Sequence, residues 1–166
     1  MIRRFGMRLL VLFAVLGTVG CDQVSKHVAR SMLAGAPGRS YLADTIRLEY
    51  TENAGGFLSL GSTWSPTVRT SLLTIGTGAM LLILAGVALR SRPTGWSLLA
   101  ATLFISGGAS NWLDRATRGS VVDFMNLGIG PLRTGIFNAA DVSILTGAAL
   151  FALVEIRQGL ARQRRE

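Results

Sequence analysis

The sequence predicts an all-α membrane protein, with four transmembrane helices and a small extracytoplasmic region that contains β structure. Three observations carry this reading. Of the 166 residues, 49% are hydrophobic and only 16% charged, whereas about a quarter of a soluble domain is charged. The apolar residues gather into four runs, each about 17–20 residues long, enough to cross a ~30 Å hydrocarbon core as helix. Basic residues stand beside these runs rather than on one binding face. Backbone groups in lipid must be paired within the segment, which makes helix the natural form. The size fits one domain, residues 1–166.

The first run is Phe5 to Cys21, preceded by Arg3 and Arg4 and interrupted by Arg8. Thr18-Val19-Gly20-Cys21 imitates a cleavage site for a lipidated cysteine. Thr18 stands where such sites usually carry Leu, and three further spans make an anchor superfluous, so the first span is expected to be retained. Residues from about 30 to 68 follow as the extracytoplasmic region. Leu48-Glu49-Tyr50-Thr51-Glu52-Asn53 alternates apolar and polar residues, which predicts one or more short strands. The second run is Thr70 to Leu89, closed by Arg90, Arg92 and Pro93. Trp96 to Leu113 is the third and Phe137 to Ile156 the fourth. Small residues (Gly76, Gly78, Gly86, Gly107, Gly108, Gly147) recur along them and permit close helix approach.

The net charge of +8 is placed as membrane-flanking charge. Arginines concentrate at the N-terminus, at 90–92 and after residue 156, in short segments, which puts both termini in the cytoplasm. No zinc-finger spacing or RNP-type aromatic motif points to nucleic acid. The single cysteine, Cys21, excludes an intrachain disulfide.

Only nine residues are acidic, and Asp123 and Asp141 lie at the outer ends of apolar segments. An ionisable group at the membrane is costly and marks a candidate functional site. Two carboxylates that meet suggest chemistry with a shared proton and an activated water. Asp123 is expected in a short outer loop after the third run. Asn138 to Asp141 has the spacing of a helix N-cap with an acid at N3, which accounts for Asp141 alone but not for Asp123.

Other motifs are weaker singly. Asp22 and Lys26 share a helix face and can pair, either as an interfacial ion pair or in support of catalysis. His27, the lone histidine, reads as an interfacial surface residue. Glu52-Asn53-Ala54-Gly55-Gly56-Phe57 reads as a tight turn, or as an Asn aimed at a substrate backbone. Gly107, Asn111 and Arg115 fall on one face of the third helix, with Gly108 beside them. Their glycines admit a neighbouring backbone or a peptide substrate, and Asn111 offers both a donor and an acceptor. Asp114 and Arg115 are expected at that helix's C-terminus.

Taken in order, DQ-x-x-K, N-x-G, GGA-x-x-N-x-x-DR, VVDF and FN-x-AD, running from Asp22 to Asp141, resemble the lipoprotein signal peptidase (type II signal peptidase) family. The resemblance implies a multi-pass aspartic endopeptidase of the bacterial cytoplasmic (inner) membrane, with its active site near the extracytoplasmic face. It implies substrates that are diacylglyceryl-modified prolipoproteins, cut before the lipidated cysteine. The catalytic pair would be Asp123 and Asp141. Asp22, Lys26, Asn53, Gly55, Gly108, Asn111, Asp114, Arg115, Asn138 and Ala140 match motif positions that shape the site or hold substrate. Membrane lipids are the other expected partners of a monomer without metal or cofactor. One departure is local: many members place the aromatic five residues after the Asn, whereas here Phe57 comes four after and Leu58 takes the fifth place.

Four alternatives stand beside this reading. A Ser–Lys hydrolase would use Lys26 with Ser25 or Ser110. A transporter or proton channel would want its acids inside the spans. Paired carboxylates could also hold Mg²⁺ or Ca²⁺. A purely structural membrane protein would tolerate loss of both aspartates.

Overall fold

The computed structural model describes residues 2–56, 59–93 and 95–163. It is mostly helical, with one small antiparallel sheet. Five helices and four strands follow in the order α1 (Ile2–Leu33), β1 (Arg39–Tyr41), β2 (Ile46–Asn53), α2 (Pro66–Arg69), a π-helical stretch (Thr70–Gly76), α3 (Thr77–Ser91), α4 (Gly95–Arg118), β3 (Val121–Ile129), β4 (Leu132–Arg133) and α5 (Ala139–Gln163).

The helices outrun the apolar segments that predict them. α1 passes unbroken through Cys21, with Gly17 and Gly20 kept helical, and ends at Leu33, just before Gly35, the first described residue with a positive φ, of 73°. The region outside the helices therefore starts later than residue 30. α2, the π-helical stretch and α3 form one 26-residue rod, Pro66–Ser91. The rod opens four residues before Thr70: Ser65 caps it through its hydroxyl, and Pro66 occupies the first turn, where a missing N–H costs nothing. α4 continues past Leu113 to Arg118, closed by Gly119 at φ 75° with its N–H on the Arg115 carbonyl. Asp114 and Arg115 thus lie one turn inside the helix rather than at its end. Phe137, read as the start of the fourth run, pairs with Met125 as an extension of the sheet, and α5 begins at Ala139.

Among the described residues, two helical segments are long and apolar enough to cross a membrane, Pro66–Ser91 and Ala139–Gln163. α4, interrupted by Ser, Gly and Asn, is the central helix. It touches α1, α3 and α5, and packs most extensively on α5. Close approach depends on glycine: a Cβ at Gly147 would stand 2.7 Å from the Phe104 nitrogen and 2.8 Å from the Ala100 carbonyl.

The sheet is ordered β1-β2-β3-β4. β2 and β3 pair from Ile46↔Leu127 to Asn53↔Val121, with a register shift between Leu48 and Thr51. Asp123 therefore belongs to a strand, not to a loop. The sequence signal for β3 was only a short apolar run, and its partner lies about seventy positions earlier in the chain, beyond any local pattern.

Candidate active site

Two adjoining clusters form where α1, α4 and the start of α5 meet the sheet. The first is a buried charge cluster. Lys26 sits 2.6 Å from Asp22 Oδ2 and 2.8 Å from Asp114 Oδ2, with all three residues at most 2% exposed. Lys26 is thus buried rather than interfacial. Asp114 also meets the Arg118 guanidinium, so two carboxylates face two cations. Neutral donors join the cluster: the Ser110 hydroxyl donates to Asp22 Oδ2 at 2.7 Å, and Gln23 Nε2 donates to Asp114 Oδ1 at 2.9 Å. Asp22 Oδ1 accepts the Ala140 N–H at 2.8 Å, on the first turn of α5. His27 is exposed.

The second cluster holds the two aspartates. Thr51 pairs with Asp123 and Asn53 with Val121 across the ladder, so Asn53 and Asp123 share one face of the sheet as diagonal neighbours. Asn53 Nδ2 donates to Asp123 Oδ2 at 3.0 Å. The Asn53 side chain also closes its own turn: it accepts from the Gly55 N–H at 3.1 Å and donates to the Gly56 carbonyl at 2.8 Å. Gly55 is obligatory in that turn, since a Cβ there would fall 2.5 Å from the Ser62 nitrogen. Phe57 and Leu58, where the aromatic spacing departs from the family pattern, lie outside the described residues.

Asn138 joins the two aspartates. Its backbone N–H donates to Asp141 Oδ2 at 3.0 Å, and its Oδ1 accepts the Asp141 N–H at 3.0 Å, a reciprocal cap on α5. Its Nδ2 donates to Asp123 Oδ1 at 2.6 Å. The cap on α5 and the meeting of Asp123 with Asp141 through Asn138 are therefore one arrangement rather than alternatives. The Met125–Phe137 bridge on β3 delivers Asn138 to this place.

Asn111, from α4, completes the ring. Its Nδ2 donates to Asp141 Oδ1 at 2.8 Å, while its Oδ1 accepts from Lys26 Nζ at 2.8 Å and from Asn138 Nδ2 at 3.2 Å. Lysine only donates, which fixes which end of the amide faces it. Each carboxylate thus accepts from two neutral amide donors and touches no cation directly. Burial pushes the Asp123 carboxyl up to about 6, and the Asp141 charge adds to the rise against the hydrogen bonds from Asn53 and Asn138. A carboxyl held near neutrality suits proton exchange with water.

The glycines serve packing more than access. A Cβ at Gly107 would meet the Ala140 carbonyl at 2.5 Å, and one at Gly108 would meet Leu81 at 2.7 Å. Arg115 is half-buried within reach of the charges of Asp114, Asp123 and Asp141. The structure adds Gln23 and Arg118 to the residues singled out from sequence, and gives Ser110, read there only as a possible nucleophile, a structural role. Arg118 follows Asp114 by four residues and Ser110 by eight on the same face of α4, which is the signal that could have found it. The serine–lysine alternative loses its parts. The Ser110 hydroxyl is spent on Asp22, the Ser25 hydroxyl donates to the Asp22 carbonyl at 2.8 Å, and Lys26 is engaged by the carboxylates of Asp22 and Asp114 rather than by either serine.

Comparison with known proteins follows the same line. The family model described as signal peptidase (SPase) II matches residues 14–157. A lipoprotein signal peptidase of Sphingopyxis alaskensis is 34% identical over 149 residues, covering 89% of this chain and 82% of its own. Those of Leifsonia xyli and Streptococcus pneumoniae are 32% and 26% identical, covering 82% and 91% of this chain and 62% and 95% of their own lengths. A bacterial membrane enzyme solved by the in meso method at 2.3 Å resolution superposes with a TM-score of 0.77 at 23% identity, over 90% of this chain and 89% of that one.

Proposed function

The chain belongs to the signal peptidase II family, whose members are membrane peptidases that remove signal peptides from prolipoproteins, and from that premise we propose that Asp123 and Asp141 are its catalytic pair. The observation that carries the proposal is the ring in which Asn53, Asn111 and Asn138 bring both carboxylates into one network. One carboxylate, ionised, takes a proton from water. The other, protonated, donates to the scissile carbonyl oxygen, and the roles then exchange. Like charges in one site cannot both ionise cheaply, so the pair keeps a shared proton, and it titrates as a unit. The buried Asp22–Lys26–Asp114 cluster positions Asn111 and the first turn of α5. Gly55, Gly108 and Ala140 fit the backbone around the pair, and Arg115 faces the substrate.

The same reading places four helical spans in a bacterial cytoplasmic membrane, with both termini inside and the sheet outside. It makes the chain a metal-free monomer that takes its diacylglyceryl substrate from the bilayer. Arginine concentrated at 3–8, 90–92 and 157–165 supports the orientation. The test is cleavage of a prolipoprotein, with and without its diacylglyceryl group, by wild type, Asp123→Asn and Asp141→Asn, in the presence and absence of chelator. The expected result is lipid-dependent, chelator-resistant cleavage, lost by about 10³-fold or more in both variants with thermal unfolding unchanged in cooperativity. Retained cleavage in either variant overturns the pair.

A further inference from the structure

Strand β2 meets β3 in two registers. Ile46↔Leu127, Arg47↔Asn126 and Leu48↔Met125 belong to the first, and Thr51↔Asp123, Glu52↔Val122 and Asn53↔Val121 to the second. Between them Glu49 and Tyr50 stand opposite Phe124 alone, a bulge of one extra residue. Paired residues share a face of the sheet, and faces alternate along a strand. Carried on from Leu48↔Met125 without the bulge, the ladder would set Tyr50 against Asp123 and put Glu52, not Asn53, on the face of Asp123. A slip of one residue turns every side chain over. The bulge therefore decides whether an amide or a third carboxylate stands beside the two aspartates.

Glu52, on the other face, ties the bulge down. Its Oε1 accepts from the Tyr50 hydroxyl at 2.6 Å and from Arg30 Nη2 at 3.0 Å, and its Oε2 accepts from the Ser120 hydroxyl at 3.1 Å. Arg30 Nε also donates to the Tyr50 hydroxyl at 3.2 Å. Arg30 stands in the last turn of α1, one turn after Lys26. Tyr50 belongs to the bulge, and Ser120 precedes Val121, the ladder partner of Asn53. One carboxylate thus gathers donors from α1, from the bulge and from the head of β3. Both side chains of the Arg30–Glu52 pair are 46% exposed, and an exposed pair adds little to global stability, so variants here are expected to fold.

We infer that Glu52, with Arg30, is a positioning residue for the peptidase reaction: it locks the bulge and so keeps the Asn53 amide on Asp123. The inference rests on the reading of Asp123 and Asp141 as the catalytic pair. Asn53 Nδ2 donates to Asp123 Oδ2 at 3.0 Å, and that bond holds the carboxyl down against burial. The charged groups that face Asp123 are Asp141 of α5, Lys26 of α1 and Arg115 of α4, and none of them belongs to β2. Loosening Asn53 should raise the pKa of Asp123, whereas loss of a nearby negative charge by itself would lower it.

The test measures kcat, KM and the pH profile of kcat/KM on a diacylglyceryl prolipoprotein, with the full-length protein in nanodiscs. Wild type is compared with Glu52→Ala, Glu52→Gln, Arg30→Gln, Glu49→Gln and Asp123→Asn. Glu52→Ala should lower kcat about 10- to 100-fold, the scale on which misplaced groups cost rate, with KM within about twofold of wild type. The limb of its profile that titrates near 6 should move to higher pH. Glu52→Gln, whose amide oxygen can still accept from Arg30 and Tyr50, should recover most of the rate and the wild-type profile. Arg30→Gln should move both readouts part of the way. Glu49→Gln, which removes a carboxylate from the bulge itself, should match wild type. Wild-type kcat and profile in Glu52→Ala, with Asp123→Asn inactive, overturn the inference and leave the pair standing. A raised KM at unchanged kcat would make Glu52 a substrate contact, and a shift to lower pH would make it a charge effect; either result overturns the positioning role. If Glu52→Ala does not fold, Arg30→Gln decides by the same readouts. Cleavage retained by Asp123→Asn overturns the pair and this inference with it.

Discussion

At the scale of single residues, Lys26 separates charge that stabilises from charge that reacts. It neutralises Asp22 and Asp114 in a place where none of the three is more than 2% exposed, and among the described residues it reaches the network of Asp123 and Asp141 through the Asn111 amide. Removing one partner of a buried ion cluster leaves uncompensated charge, a loss of roughly 3–5 kcal/mol. Lys26→Met should therefore lower unfolding stability by about that amount in denaturant titration. An unchanged midpoint would mean that the cluster is solvated. Asp123 makes the opposite prediction in pH. Its folded carboxyl is raised from an ordinary value of 3.8 to about 6, so the folded state holds that proton more tightly than the unfolded chain does. The stabilisation is complete below 3.8 and is lost as pH rises through 6. Relative to Asp123→Asn, wild type should gain stability as pH falls from 7 to 4. Parallel pH profiles for the two proteins would refute this.

At the scale of elements, the site depends on how closely α5 lies against α4. Gly107 lets the Ala140 carbonyl come where a methyl group would stand 2.5 Å away, and the Ile144 side chain and nitrogen are 3.0 and 3.1 Å from the same point. Gly107→Ala should displace the first turn of α5, and Asp141 with it. A loss of stability of about 1–3 kcal/mol is expected from such overpacking, together with a fall in kcat at least tenfold larger than that of Gly17→Ala, which has open space around it. Equal kcat for the two variants would remove the glycine from the site. The helices and both aspartates were legible in the sequence, because apolar runs and a scarce charge are local signals. Strand β3 was not, since its pairing with β2 is a long-range event. The helix ends were also missed, because propensity carries a helix on until a residue such as Gly35 or Gly119 stops it. The role of Lys26 stayed open because a spacing of four residues specifies a pair but not its burial.

At the scale of the molecule, orientation and architecture make one prediction. Reporter domains fused to the N-terminus and to the C-terminus should both be active on the cytoplasmic side, whereas a reporter inserted between β1 and β2 should report the outer side. An outward C-terminus would require an odd number of spans. The hydrogen bond from the Ala140 amide to Asp22 joins residues 118 positions apart, and that separation bears on how the enzyme is made. During synthesis the first helix emerges with Asp22 and Lys26 long before α5 exists to meet them. A nascent chain halted before residue 138 lacks the Asn138 bridge, the Ala140 amide and Asp141 together. With Asp123 and Asp141 as the proposed pair, peptidase activity would therefore wait on the docking of α5 against α1 and α4, and a nascent chain could not cut a neighbour before that step.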